Sequence, residues 1–275
     1  MPRSAVPSSN SAITARLRAR ELTGSIPEMD ERLMQTMLDV DEHHWWYRGR
    51  RRIIQAELDR LALPNPARVL DAGCGSGRTL QELVRYGAVE GIELNPDAAE
   101  VAARRGYGEV KVGRLEELPW SGDTFDLITC LDVIEHTPDD RAALRELRRV
   151  SKPAGWLLVT VPAYPALWSV HDEANHHYRR YLRGSLQQAA LDAGWQVARI
   201  TSFNSLLLAP AAAVRLAQRR RSHTNSYSPD LTLGPDWLND TLERLLRAEA
   251  RWLARGRTLP VGLSLLALLR NQGPT

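Results

Sequence analysis

Two groups of residues in this chain have types and spacings suited to chemistry. In the first, residues 68–78 read RVLDAGCGSGR: Val69 and Leu70 make a short apolar strand, Asp71 closes it, and Gly73, Gly75 and Gly77 turn the backbone toward a helix beginning near Thr79. Glycines at alternate positions allow φ > 0 and put no Cβ between the turn and a ligand, while the helix start offers unpaired N–H groups. A nucleotide-type ligand is therefore expected against this turn. A phosphate loop would need Gly-Lys-Ser/Thr, but Gly77 is followed by Arg78 and Thr79; the dinucleotide fingerprint would need a glycine where Arg78 stands. What remains is DxGxGxG followed, at the end of a second strand over 89–94, by Glu93. Its carboxylate can accept both hydroxyls of a ribose.

With VLDAGCGSG, GIELN, LPWSGDTFDLITCLDVIEH and RRVSKPAGWLLVTVPA in this order, the chain resembles the class I S-adenosylmethionine-dependent methyltransferases over about 45–203. The HWW segment ahead of the core is similar to that of many bacterial methyltransferase-domain members. The resemblance implies an α/β, Rossmann-like sheet of seven strands, mostly parallel with an antiparallel last strand, and S-adenosylmethionine as cofactor, released as S-adenosylhomocysteine. It places Asp71, Gly73, Gly75, Gly77, Glu93 and Leu94 around the cofactor. The family pattern has an aspartate for the adenine after the third strand, 109–112, where this chain has Gly113 and Arg114. A guanidinium cannot accept that hydrogen bond, so Glu116 or the backbone at Leu115 takes it, or the base is held more loosely.

The second chemical group lies in 162–184, PAYPALWSVHDEANHHYRRYLRG, directly after the fifth strand. A segment at a strand's carboxyl end should form a loop or short helix over the acceptor pocket. There His171 is the first choice of base for an acceptor hydroxyl, oriented by Asp172 or another carboxylate, while His177, Arg180 and Tyr181 join Asp172 in binding the acceptor. Against this stands a lid bonded only to itself. Asp132, Glu135 and His136 follow the apolar strand 125–131 and point toward cofactor and acceptor. His136 is the second choice of base or merely a loop residue beside a helix that Thr137 and Asp140 would cap, with Pro138 in its first turn. The ligand spacing in 162–184 matches no standard zinc arrangement, so no metal is expected.

The elements that must position these groups are ordered along the chain. Residues 1–25 are rich in Ser, Arg and Pro with no apolar signal-peptide core, and are expected to be disordered. Residues 26–64 have helical periodicity, with Ile53, Ile54, Leu58 and Leu61 on one face, and would lid the cofactor. In that lid Trp46 would face the sulfonium by cation–π attraction and Arg48 or Arg51 would pair with the methionine carboxylate, or the aromatics would be plain core. The core is 65–203, a helical insertion fills 204–258, and 259–275 supplies the last strand and tail.

The remaining composition narrows the function. Net charge is +3, but arginines cluster at 16–20, 48–52, 145–149 and 219–221. Apolar 206–216 beside Arg219, Arg220 and Arg221 suggests a peripheral membrane contact through 205–221, at the inner face of the membrane, for a lipid-linked acceptor; a packing subdomain is the alternative. No stretch has the length of a spanning helix. Cys74 and Cys130 sit in the glycine turn and a core strand, suggesting no disulfide and a cytoplasmic protein. The expected function is methyl transfer to a small-molecule, glycan or lipid-linked acceptor, with a non-catalytic cofactor-binding or scaffold protein as the alternative. No nucleic acid is expected as partner, because LDVIEH replaces the Asn/Asp-Pro-Pro-aromatic motif and no Pro-Cys pair occurs. Oligomeric state is not indicated.

Overall fold

The structure, a computed structural model, describes residues 42–210, 213 and 235–273. Expectations for the N-terminal 25 residues, for Arg219, Arg220 and Arg221, and for most of the apolar run 206–216 lie outside them. In chain order the elements are α1 (Trp45–Leu58), β1 (Ala67–Ala72), α2 (Arg78–Leu83), β2 (Gly87–Glu93), α3 (Pro96–Arg104), β3 (Glu109–Val112), β4 (Phe125–Leu131), α4 (Asp140–Val150), β5 (Ser151–Pro162), α5 (Val170–Ala174), α6 (Arg183–Asp192), β6 (Gln196–Phe203), α7 (Asp236–Ala254) and β7 (Ser264–Arg270). The seven strands form one sheet in the order β3-β2-β1-β4-β5-β7-β6. Pairing is parallel from β3 to β5, and β7 runs antiparallel to both β5 and β6.

Strand composition explains the layering. Every residue of β4 but Asp126 is buried, and six of the seven residues of β7 are, because helices or loops cover both faces. One core holds Leu70, Ile128, Leu144, Leu157 and Trp195; the other holds Ile53, Leu58, Val69, Leu158, Phe203 and Leu246. The order reverses between β1 and β4, and the carboxyl ends of these two strands carry the glycine turn and Asp132. Such a switch point is where open α/β sheets leave a crevice for ligand.

The helical lid and the insertion meet on this second face. Gly49 of α1 lies against Leu246 of α7, so closely that a Cβ at 49 would stand 2.3 Å from Leu246 Cδ1. Buried Glu243 of α7 takes Arg48 at 2.9 Å and Arg52 at 3.3 Å from α1, and Asn239 Oδ1 accepts the Trp45 N–H at 2.8 Å. A helix pair, rather than a lone lid, thus carries the arginines of α1.

Two local expectations are corrected. The helix α4 is capped by Asp139, whose carboxylate accepts the Ala142 N–H at 3.0 Å, and not by Thr137. The Thr137 hydroxyl instead donates to the Ile134 carbonyl at 2.8 Å, closing the 3-10 turn Ile134–His136 that precedes it. Pro153, Ala154 and Gly155 suggest a turn into a strand starting at Trp156, but β5 begins at Ser151, five residues earlier: Ala154 takes φ 61 there and donates its N–H to the Asn271 carbonyl, so 153–155 is an irregular part of the strand. Among the described residues no helix is long and apolar enough to cross a membrane.

Candidate active site

The glycine turn is held by the strands beneath it. Gly73 and Cys74 both donate backbone N–H groups to the Ile92 carbonyl of β2, at 2.8 and 3.1 Å, and Gly77 donates to Cys74 at 2.9 Å. Gly73 and Gly77 need φ near +80°, and at each a Cβ would collide, with Val133 Cγ2 at 2.4 Å and with Ala102 Cα at 2.8 Å. Gly75 differs: a Cβ there would meet nothing within 4 Å. Glu93, at the end of β2, accepts the Gly75 N–H at 2.8 Å and the Asn95 N–H at 2.9 Å.

Asp71 stands below the turn with one carboxylate oxygen accepting the Thr129 hydroxyl at 2.6 Å and the other without a hydrogen-bond partner. Burial pushes its carboxyl up to about 6, against the opposing pull of Thr129 and Arg50. The folded chain therefore holds this proton more tightly than the unfolded chain, and stability should fall as pH rises from about 4 through 6. For the ligand-free protein we expect about 2 kcal/mol of this dependence between pH 4 and pH 7 to disappear in Asp71→Asn, read from urea midpoints. Equal pH slopes in the two proteins would contradict it.

Arg50 of α1 reaches the carboxyl end of β4. It forms an ion pair with Asp132, which ends β4 in the left-handed conformation at φ 56. Arg48 is held by Glu243, so the expected carboxylate partner faces α7 instead. Trp46 stacks on Phe203 with ring centroids 5.8 Å apart and planes 11° from parallel, within the core of the second face. Arg51 lies against α2, near Thr79 and Glu82. The helix period explains this placement: Arg50 is three, four and seven residues before buried Ile53, Ile54 and Glu57, whereas Arg48 is not on that face. Of the residues expected near the adenine, Leu115 is buried, Glu116 is half-buried and meets Arg114 at 3.7 Å, and Leu94 is exposed.

The acceptor segment is organised by Asp172, fully buried in α5. One carboxylate oxygen takes His177 Nδ1 at 2.9 Å and Arg180 Nε at 2.7 Å, while the other accepts the Ser169 N–H at 2.8 Å and its hydroxyl at 3.1 Å. Burial alone would raise this carboxyl, but the bonds from His177 and Arg180 outweigh it and hold it well below the usual range. Asp172 thus orients His177, not its sequence neighbour His171. The reason is helical geometry: adjacent residues on α5 diverge by about 100°, while the turn at His176, with φ 55, brings residue 177 back. Arg180 also donates to the Ala163 carbonyl at 3.1 Å, and it is buried. Tyr181 is buried in the first core with its hydroxyl donating to Asp140 at 2.8 Å.

Three histidines converge where this segment meets the end of β4. His136 and His177 face edge to plane with centroids 4.6 Å apart, and His171 lies 6.5 Å from His177. Burial, then the neighbouring His177, holds the His136 imidazole low, at about 4, although part of the ring is open to solvent. Glu135 is buried beside His136 and His177, and neither of its carboxylate oxygens has a hydrogen-bond partner. Burial and then Asp132 raise its carboxyl well above the usual range. His136 and Glu135 are adjacent to Asp132 in sequence, but His177 reaches them only through the fold.

The strand order, the DxGxGxG turn and the acidic end of β2 together define a class I methyltransferase fold. The turn fits S-adenosylmethionine: Gly75 leaves room for a ligand, Glu93 offers carboxylate oxygens, and Asp71 keeps one oxygen unbonded. Residues 45–200 match the model of the methyltransferase domain family, and the chain belongs to that family. Ubiquinone biosynthesis O-methyltransferase of Xanthomonas oryzae pv. oryzae is 34% identical over 149 residues, which cover 47% of this chain and 61% of that protein. The namesake enzyme of Paracidovorax citrulli is 36% identical over 134 residues, covering 42% and 55%. The chain therefore spans between about half and two thirds of the length of these curated relatives. Among solved structures, the methyltransferase in complex with the Haloferax volcanii Trm112 activator superposes with a TM-score of 0.57 at 19% identity, covering 86% of this chain and 93% of that one. Geranyl diphosphate methyltransferase, solved with its substrate and sinefungin, gives 0.53 at 18%, covering 79% and 77%. At these identities the structures are similar in fold.

Proposed function

We propose that this chain transfers the methyl group of S-adenosylmethionine to a hydroxyl oxygen on a small-molecule, glycan or lipid-linked acceptor. One observation carries the proposal: the glycine turn with Glu93 and the histidine cluster around His177 open from the same carboxyl edge of the sheet, across Asp132. Cofactor and acceptor can then be held with sulfur, methyl and oxygen in line, which is most of what such a transfer requires. The names of the curated relatives favour oxygen as the methylated atom and a quinone-type lipid precursor as the acceptor class. An apolar tail on such an acceptor would suit the exposed Leu206 and Trp237, and with them a peripheral contact with the membrane.

In this reading Gly73, Gly75 and Gly77 shape the cofactor cradle, Glu93 takes the ribose hydroxyls, and Arg50 takes the methionine carboxylate by exchanging it for Asp132. Leu115 and Glu116 line the adenine. His171 accepts the acceptor's proton, while Asp172 and Arg180 keep the acceptor segment in place. The reading is tested by calorimetry with S-adenosylhomocysteine and by turnover of a hydroxylated aromatic acceptor. Glu93→Ala should weaken cofactor binding by about 1 to 3 kcal/mol through the loss of two charge-assisted hydrogen bonds. His171→Ala should bind cofactor normally and turn over roughly 100-fold more slowly. Unchanged affinity in Glu93→Ala would remove the cofactor assignment, and an unchanged rate in His171→Ala would remove the base.

A further inference from the structure

We propose that Glu135, His136 and His177 form a binding site for one divalent transition-metal ion, placed where the acceptor oxygen would lie. Each offers one donor atom, and the three atoms all lie within 4.8 Å of one another. Bonds of about 2.0 to 2.2 Å from such an ion to nitrogen and oxygen set donor separations of roughly 3 to 4 Å, so small side-chain rotations close the site. Two imidazoles with one carboxylate suit zinc, manganese, iron or cobalt better than magnesium or calcium.

Three further features support a cation here. Glu135 is 1% exposed, and both its carboxylate oxygens lack hydrogen-bond partners, a costly arrangement that an ion at this position would relieve. His177 has its Nδ1 engaged by buried Asp172 at 2.9 Å, which leaves Nε2 for the ion. A carboxylate behind a ligating imidazole is the usual means of fixing its tautomer and direction. The charges also balance in pairs: Arg50 meets Asp132 and Arg180 meets Asp172, while Glu135 is bonded to neither arginine. His136 keeps an open side, which gives the ion a route from solvent.

Three protein ligands leave coordination positions for water or an acceptor hydroxyl. The oxygen, bound to the ion, would lose its proton to His171 or solvent more readily. Its lone pair then forms the O–CH3 bond as the C–S bond breaks and returns its electron pair to sulfur, giving the methyl ether and S-adenosylhomocysteine. This last role rests on the function proposed above; ion binding does not.

The test uses the full chain, freed of metal by a chelator and titrated with Co2+, with absorption in the visible region and calorimetry as readouts. One ion per chain is expected. Glu135→Gln, His177→Asn and the solvent-open His136→Asn should each weaken binding at least 10-fold, and Asp172→Asn should weaken it about 10- to 100-fold through the lost support of His177. Binding of S-adenosylhomocysteine, measured in parallel, shows that each variant is folded. Absence of Co2+ binding by the wild-type chain, or equal binding by the three ligand variants, overturns the site. Co2+ binding without any binding of S-adenosylhomocysteine would leave the metal site standing and remove the methyltransferase reading.

Discussion

Gly75→Ala should weaken cofactor binding by up to about 150-fold while leaving the fold almost intact. The position is the open one of the three: its φ is +52°, and an added Cβ would have no protein atom within 4 Å. In the ligand-free protein the cost is that of one residue in the left-handed region, about 1 to 2 kcal/mol. In the complex the same methyl group would occupy space taken by the cofactor, at an overpacking cost of about 1 to 3 kcal/mol that the free protein does not bear. S-adenosylhomocysteine affinity should therefore fall by about 5- to 150-fold, with only a small drop in melting temperature, since the strain is common to the free and bound protein. Gly73→Ala gives the contrast, since its Cβ would stand 2.4 Å from Val133 and the protein itself should be destabilised. Wild-type affinity in Gly75→Ala would mean that the ligand does not lie on this turn.

The second large effect belongs to Asp172→Ala. This carboxylate holds four groups, and among them Arg180 is buried with a side chain only 4% exposed. Removing one partner of a buried ion pair leaves an uncompensated charge, at a cost of about 3 to 5 kcal/mol. Most of the chain's stability margin is of this order, so denaturant unfolding should shift sharply to lower concentration. Asp172→Asn should lose less, because the amide oxygen can still accept a hydrogen bond. A midpoint in Asp172→Ala within about 0.5 kcal/mol of wild type would show that the acceptor segment is held by other contacts.

The difference between those two positions shows which parts of the site were legible from residue order. The residues proposed for the cofactor lie in short contiguous motifs, where one turn of backbone places Asp71, Gly73, Gly75 and Gly77, and a strand end places Glu93. Local steric rules suffice for these, and the buried, continuous apolar stretch of β4 likewise needed nothing beyond its own composition. The acceptor side has no such periodicity. His171 beside Asp172 looks like a base and its partner, yet the structure gives Asp172 to His177 and Arg180.

What the sequence determined by itself is the separate strands and the glycine turn, because these follow from glycine conformation and apolar runs that act over a few residues; the mostly parallel sheet was implied by the family resemblance, and its strand order came from the structure. The tertiary structure alone decided which charged groups meet. Arg50 reaches Asp132 because α1 packs its Ile53 and Ile54 face onto the sheet, and Arg48 is drawn to Glu243 of α7, 195 positions away. His177 comes beside Glu135 and His136 because a short helix and a left-handed residue turn the acceptor segment back over the end of β4. Charged side chains have many partners within reach in a chain of 275 residues, and only the packing of apolar faces selects among them.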